Sequence, residues 1–174
     1  MPLLIYVILT VFVVTCCVVD VRTRRIPNAI SGPAVVAGVI LNTMSYGLPG
    51  LGWSLAGVAV IVAILLAPFA LGGLGGGDVK MMAAVGAFLG PRLALYGLLV
   101  GMILGGIVMM VHLARIGRLA EKIGALRTMV VNAALLRSVD PLRMAANDPV
   151  AISLPYSVPL GLGAAVVVAA SLWI

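Results

Sequence analysis

Long apolar segments alternate with short polar or glycine-rich connections along the whole chain. A helix needs roughly 20 apolar residues to cross the ~30 Å hydrocarbon core of a bilayer, so each segment can be compared with that length. The pattern predicts an all-α, polytopic membrane protein in which residues 1–174 form one domain with about six transmembrane helices. The predicted helices are 2–19, 29–46, 53–71, 79–89, 93–113 and 150–174.

The fourth segment, 79–89, has 11 residues and is too short to cross a membrane alone. It follows the glycine-rich run 72–77. We expect either that this helix begins deep inside the bundle or that the glycine run supplies part of the span within protein. Either arrangement makes the backbone irregular next to Asp78.

The composition supports a membrane protein and argues against a nucleic-acid-binding one. Hydrophobic residues make up 63% of the chain and charged residues 9%, far from the values of soluble domains. The net charge of +6 comes from basic residues in the connections, where anionic membrane lipids are the expected partner.

The basic residues also predict the orientation. If the N-terminus is outside, the connections 21–28, 72–80 and 114–149 lie in the cytoplasm, and they contain ten of the eleven Lys and Arg residues. Arg92 alone is then outside, which agrees with the positive-inside rule. Within 114–149, apolar residues recur at helical spacing beside basic ones, which predicts an interfacial amphipathic helix on the inner leaflet.

Two acidic residues are the candidate chemistry of the chain. Asp20 ends the first predicted helix and Asp78 opens the fourth, so in this topology both lie at the cytoplasmic end of the bundle. Carboxylates are costly in a membrane and are usually functional there. Two carboxyls in one poorly solvated site are expected to share a proton, as in an aspartic protease, where one accepts a proton from water and the other donates one. This chemistry needs no metal or cofactor, and the neighbouring Cys16 and Cys17 are interpreted as packing residues.

The glycine run Gly75-Gly76-Gly77 before Asp78 has two interpretations. Glycine permits positive φ and lets the backbone of a substrate approach a catalytic group closely. Alternatively, the run is an ordinary turn between membrane helices, and Asp78 caps a helix that begins at Val79.

A third feature is the segment Ile26-Pro27-Asn28, which follows Asp20 and three basic residues. Together with the glycine run and Asp78, it resembles the type IV prepilin peptidases, intramembrane aspartic proteases with a Gly-x-Gly-Asp motif. The resemblance extends over essentially the whole chain and maps the two catalytic aspartates of that family to Asp20 and Asp78. It implies hydrolysis of the short basic leader of prepilins at the cytoplasmic face of the inner membrane.

Larger members of that family carry an additional cytoplasmic domain with paired Cys-x-x-Cys motifs and also methylate the mature pilin. This sequence has no such motif. It therefore resembles the compact branch associated with Flp/Tad-type pili, which implies an Flp-like prepilin as substrate and no methyltransferase activity.

Three further polar or turn residues have a structural and a functional interpretation. Pro27 and Asn28 either end the first connection, with Asn28 as a helix cap, or contact the substrate. Lys80 lies two residues after Asp78, and it either holds that carboxylate ionised, binds a lipid phosphate or extends to the membrane interface.

A small transporter or proton-coupled carrier is the alternative functional class, because such proteins also place carboxylates in the membrane. No inverted repeat is evident in the sequence. Cleavage of a prepilin by the purified protein distinguishes the two classes.

Overall fold

The computed structural model describes residues 2–71, 73–119, 123–124 and 156–173. Within these ranges the helices are, in chain order, α1 (Pro2–Thr23), α2 (Asn28–Ala70), α3 (Gly76–Arg115) and α4 (Ser157–Ser171). The first three are long and apolar enough to cross a membrane, whereas α4 has 15 residues and is shorter. The all-α membrane architecture is therefore confirmed, but the described part of the chain does not support six separate transmembrane helices. The predicted interfacial helix within 114–149 lies mostly outside the described residues.

The helix α2 is bent at Gly47, whose φ of 66° and ψ of −148° interrupt the helical backbone. Asn42 and Ser54 lie on opposite sides of this bend, yet both donate a hydrogen bond to the carbonyl oxygen of Ala87, at 2.9 and 2.7 Å. In a straight helix, residues this far apart in sequence would be separated by about 18 Å. The chain therefore turns back at Gly47, and both halves of α2 pack against the same turn of α3.

The helix α3 is bent in the same way at Gly90, where φ is 74° and ψ is 179°. Its first half packs against α2, and a Cβ added to Gly86 would lie 2.6 Å from the carbonyl oxygen of Gly57. Its second half packs against α4. The bends at Gly47 and Gly90 fall in the connections that the apolar pattern predicts, 47–52 and 90–92, so the chain changes direction there without a separate loop.

Glycines on the second half of α3 set its distance from α4. The four-residue spacing of Gly97, Gly101 and Gly105 predicts close packing of membrane helices. A Cβ added to Gly101 would lie 2.7 Å from the Cα atom of Leu160, and one added to Gly97 would lie 3.3 Å from that of Ala164. The packing prediction is therefore confirmed, with α4 as the partner helix.

The bend in α3 changes the hydrogen bonding of the backbone, and two buried side chains compensate for it. Pro91 has no N–H group, so it cannot donate to the Ala87 carbonyl one turn earlier, as a helical residue would. Ser54 donates to this carbonyl, and the Asn42 amide donates to it and to the Phe88 carbonyl at 3.0 Å. Because an unpaired buried carbonyl is costly, these two side chains stabilise the bend.

Replacement of Asn42 by leucine should lower the free energy of unfolding by about 1–3 kcal/mol, because it removes the amide bonds to the carbonyls at the bend. Thermal or denaturant unfolding in detergent measures the change. The matched control is Thr43→Val, because the Thr43 hydroxyl donates only within its own helix, to the Val39 carbonyl at 2.7 Å. If both variants unfold like the wild type, the amide does not stabilise the bend.

Candidate functional site

The structure brings Asp20 and Asp78 together, although they are 58 positions apart in sequence. Asp20 lies in the last turn of α1 and Asp78 in the first turn of α3. Asp20 and Asp78 are each 8% exposed, and Ile26, in the connection after α1, packs against Gly77, the residue before Asp78. Two helix ends therefore form one poorly solvated site with two acids.

A tight turn ends α1 at Thr23, three residues after Asp20. Arg24 adopts a left-handed conformation with φ of 53°, and its N–H donates to the Asp20 carbonyl at 2.7 Å. The Thr23 hydroxyl bonds to the carbonyls of Val19 and Arg25, both at 2.9 Å. These bonds end α1 at Thr23, less than one turn after Asp20, and turn the chain toward α2.

The helix that carries Asp78 begins earlier than the apolar pattern predicts. Gly75 is extended, with φ of −71° and ψ of 142°, and α3 starts at Gly76 rather than at Val79. Asp78 is consequently the third residue of the helix and not its N-cap, and its backbone N–H donates to the Gly75 carbonyl at 3.1 Å. The irregular backbone expected beside Asp78 is found at Gly75 and before it.

The glycines before Asp78 serve close packing and not an unusual backbone. None of Gly75, Gly76 and Gly77 has a positive φ, so of the two properties of glycine only the close approach of a substrate backbone stays a prediction. A Cβ on Gly77 would lie 3.1 Å from the Cβ atom of Ile26, and one on Gly75 would lie 3.2 Å from Oδ2 of Asp78. Gly77 thus lets the connection after α1 approach the start of α3, and Gly75 leaves space beside the carboxyl.

Ser157 is a site residue that the sequence analysis missed. It is the first residue of α4, is completely buried, and donates its hydroxyl to Oδ2 of Asp20 at 2.5 Å. The only available sequence signal is an isolated hydroxyl at the start of the last apolar run, after Pro155 and Tyr156. That signal does not identify a partner, because the contact joins residues 137 positions apart.

The two cysteines pack around this contact. Cys16 is completely buried, and the Cys17 thiol donates to the backbone carbonyl of Ser157 at 3.3 Å. Both are free thiols, Cys16 buried and Cys17 half-buried, which agrees with their interpretation as packing residues. In the described part of the chain, no three His, Cys, Asp or Glu side chains are grouped as a metal site would require.

Pro27, Asn28 and Lys80 lie beside the two acids, at the starts of α2 and α3. Pro27 is the N-cap of α2, so the prediction that Asn28 is the cap is wrong: Asn28 is the first helical residue. The Asn28 Oδ1 atom instead accepts a hydrogen bond from the Lys80 ammonium at 2.7 Å. Lys80 is exposed and joins the two helix starts through this bond.

Two pockets lie outside the pair of acids. A cavity of about 420 Å³ is near the bends, and Asn42, Tyr46, Trp53 and Phe88 are among its lining residues. A smaller groove of about 260 Å³ lies between the starts of α2 and α3. Its lining residues are Asn28, Ser31, Gly32, Val35, Lys80 and Ala83. Neither Asp20 nor Asp78 is among the lining residues of the cavity or of the groove.

Comparison with known proteins agrees with this site. The sequence profile of the type IV leader peptidase family matches residues 7–110, a range that contains Asp20, the glycine run and Asp78. No curated protein and no solved structure matches the chain significantly. Since the family profile covers 104 of the 174 residues, including both helix ends that form the site, the chain belongs to the type IV leader peptidase family.

Proposed function

We propose that the protein is an intramembrane aspartic endopeptidase that removes the short basic leader from Flp-like type IV prepilins. The observation that carries this proposal is the buried pair of carboxyls, Asp20 and Asp78, at adjoining ends of α1 and α3. Membership in the type IV leader peptidase family supports the reaction class. Hydrolysis by two acids needs no further group from the protein.

In the proposed mechanism, the two carboxyls share one proton. The ionised carboxylate accepts a proton from water while the water oxygen bonds to the carbonyl carbon of the scissile peptide. The protonated partner donates its proton to the carbonyl oxygen, which gives a neutral tetrahedral diol. The carboxyl that took the proton from water then donates it to the amide nitrogen while the other carboxylate accepts a proton from a diol hydroxyl. The C–N bond breaks, an amine and a carboxylic acid are released, and the pair again holds one proton.

In the proposed topology, the site lies at the cytoplasmic face of the inner membrane and the N-terminus lies outside. The bends at Gly47 and Gly90 support the number of crossings in this topology, because each lets a long helix cross the membrane twice. The helices α1 and α4 then complete a bundle of six segments. Helices of 43 and 40 residues would otherwise extend about 60 Å, twice the hydrocarbon thickness. The basic residues on the side of the acids are suited to anionic lipids.

The direct test is cleavage of an Flp-type prepilin by the purified protein in detergent, with the products identified by mass spectrometry. The wild type should release the leader, and Asp20→Ala and Asp78→Ala should release none. Normal processing by both variants would overturn the aspartic mechanism. If the wild type cleaves nothing and the variants impair only solute uptake in proteoliposomes, the protein is a carrier.

Replacement of Lys80 by methionine should change kcat by less than about threefold, because its exposed ammonium bonds to Asn28 and such surface contacts contribute little. Steady-state cleavage measures the effect. Asn28→Ala is the matched variant, since it removes the other partner of the same bond. A tenfold or greater fall in kcat for Lys80→Met alone would show that the ammonium acts on Asp78.

A further inference from the structure

We propose that Ser157 is a positioning residue for Asp20, an inference that rests on the proposed peptidase function. Its hydroxyl donates to Oδ2 of Asp20, and the residue is completely buried. A hydrogen bond to a carboxylate is strong where water does not compete for either partner. The bond therefore fixes one oxygen of Asp20 and leaves the other, Oδ1, for the attacking water.

The backbone of Ser157 is also bound to α1, the helix that carries Asp20. The Cys17 thiol, three residues before Asp20 on α1, donates to the backbone carbonyl of Ser157 at 3.3 Å. One turn of α1 thus binds Ser157 twice, once through its backbone and once through its side chain. Such a two-point contact defines the direction of the hydroxyl relative to the carboxyl.

Close packing of α4 keeps this contact rigid on both sides. A Cβ added to Gly161, one turn after Ser157, would lie 2.7 Å from the Cys17 sulfur and 2.9 Å from Cγ1 of Val13. On the opposite side, α4 is in backbone contact with Gly97 and Gly101 of α3. The Ser157 hydroxyl is therefore held near Asp20 by α4, which packs between α1 and α3.

A residue that acts only through Asp20 should affect the chemical step and not substrate binding. Loss of the hydroxyl lets the carboxyl rotate away from the geometry in which it meets water. Small misplacements of a catalytic group lower rates by about 10²-fold. We therefore expect Ser157→Ala to lower kcat for prepilin cleavage by about 10- to 100-fold while KM changes by less than about threefold.

Ser54→Ala is the matched control, because Ser54 is equally buried and also donates one hydrogen bond, but it does so at the bend of α3, to Ala87. It should keep kcat within about threefold of the wild type, even if its melting temperature falls. Equal losses of kcat in Ser54→Ala and Ser157→Ala would show a general effect of buried serines and overturn the positioning role. Wild-type kcat in Ser157→Ala would overturn it as well.

A second pair of variants separates the hydroxyl from the volume of the side chain. Ser157→Thr and Ser157→Val have nearly the same shape, and only threonine keeps the donor. Threonine should exceed valine in kcat by tenfold or more, and equal values would contradict the inference. The proposed function is judged separately, by whether the wild type cleaves and Asp20→Ala does not, so an inert Ser157 leaves that function standing.

Discussion

Asparagine at position 20 or 78 should lower kcat for leader cleavage by about 10²- to 10⁴-fold, the range that general acid–base catalysis supplies. Asparagine has the shape of aspartate, but its amide neither accepts a proton from water nor donates one to the peptide carbonyl. Because both carboxyls are needed in every turnover, each single substitution should remove most of the activity. KM should change little, since substrate binding does not depend on the shared proton.

The same two variants should fold at least as stably as the wild type. Asp20 and Asp78 are both buried, and replacing one removes the cost of holding a second carboxyl in a poorly solvated site. Activity and melting temperature should therefore move in opposite directions, which distinguishes lost chemistry from lost structure. An asparagine variant that keeps more than about a tenth of wild-type kcat, with its mass confirming that no deamidation has occurred, would contradict the assigned role.

Alanine in place of Gly90 should give the largest loss of stability. Gly90 has φ of 74° and ψ of 179°, a region that is accessible almost only to glycine and costs other residues about 1–3 kcal/mol. An added Cβ would also overlap the Trp53 indole and lie 2.6 Å from its Cε2 atom, and overpacking of this kind costs about 1–3 kcal/mol more. Unfolding in detergent should therefore show a loss of about 2–6 kcal/mol.

Two other glycines are controls for this experiment. Gly52 lies in α2 and Gly106 in α3, both on exposed surfaces. A Cβ on either would meet nothing within 4 Å. Gly52→Ala and Gly106→Ala should leave stability unchanged or raise it by up to about 1 kcal/mol, since alanine favours a helix. If Gly90→Ala behaves like these controls, the bend does not require glycine.

The sequence predicts the features that depend on burial and on charge. Asp20 and Asp78 are noticeable because hydrocarbon excludes carboxylates, and the changes of direction near 47 and 90 follow from the length of apolar segments. Both features follow from the apolar environment of the membrane, which acts on every segment of the chain. They are readable without knowledge of individual contacts.

Other features depend on contacts between residues that are distant in sequence, and the sequence alone does not predict them. Local propensity places the start of α3 after the glycines, but Gly76 and Gly77 are helical, with Gly76 close to Phe69 and Gly77 close to Ile26. Asparagine is a common helix cap, yet the Oδ1 atom of Asn28 accepts a hydrogen bond from Lys80. The partnership of Ser157 with Asp20 arises only when α4 returns to α1.

The manner in which α2 and α3 change direction has a mechanical consequence. Asn42 and Ser54 tie both halves of α2 to the bend of α3, and Gly57 touches Gly86 backbone to backbone. The two helices are therefore held together at the end of the bundle that contains both bends. Any widening that admits a pilin chain is therefore expected at the opposite end, where it would have to break contacts such as the Lys80–Asn28 hydrogen bond.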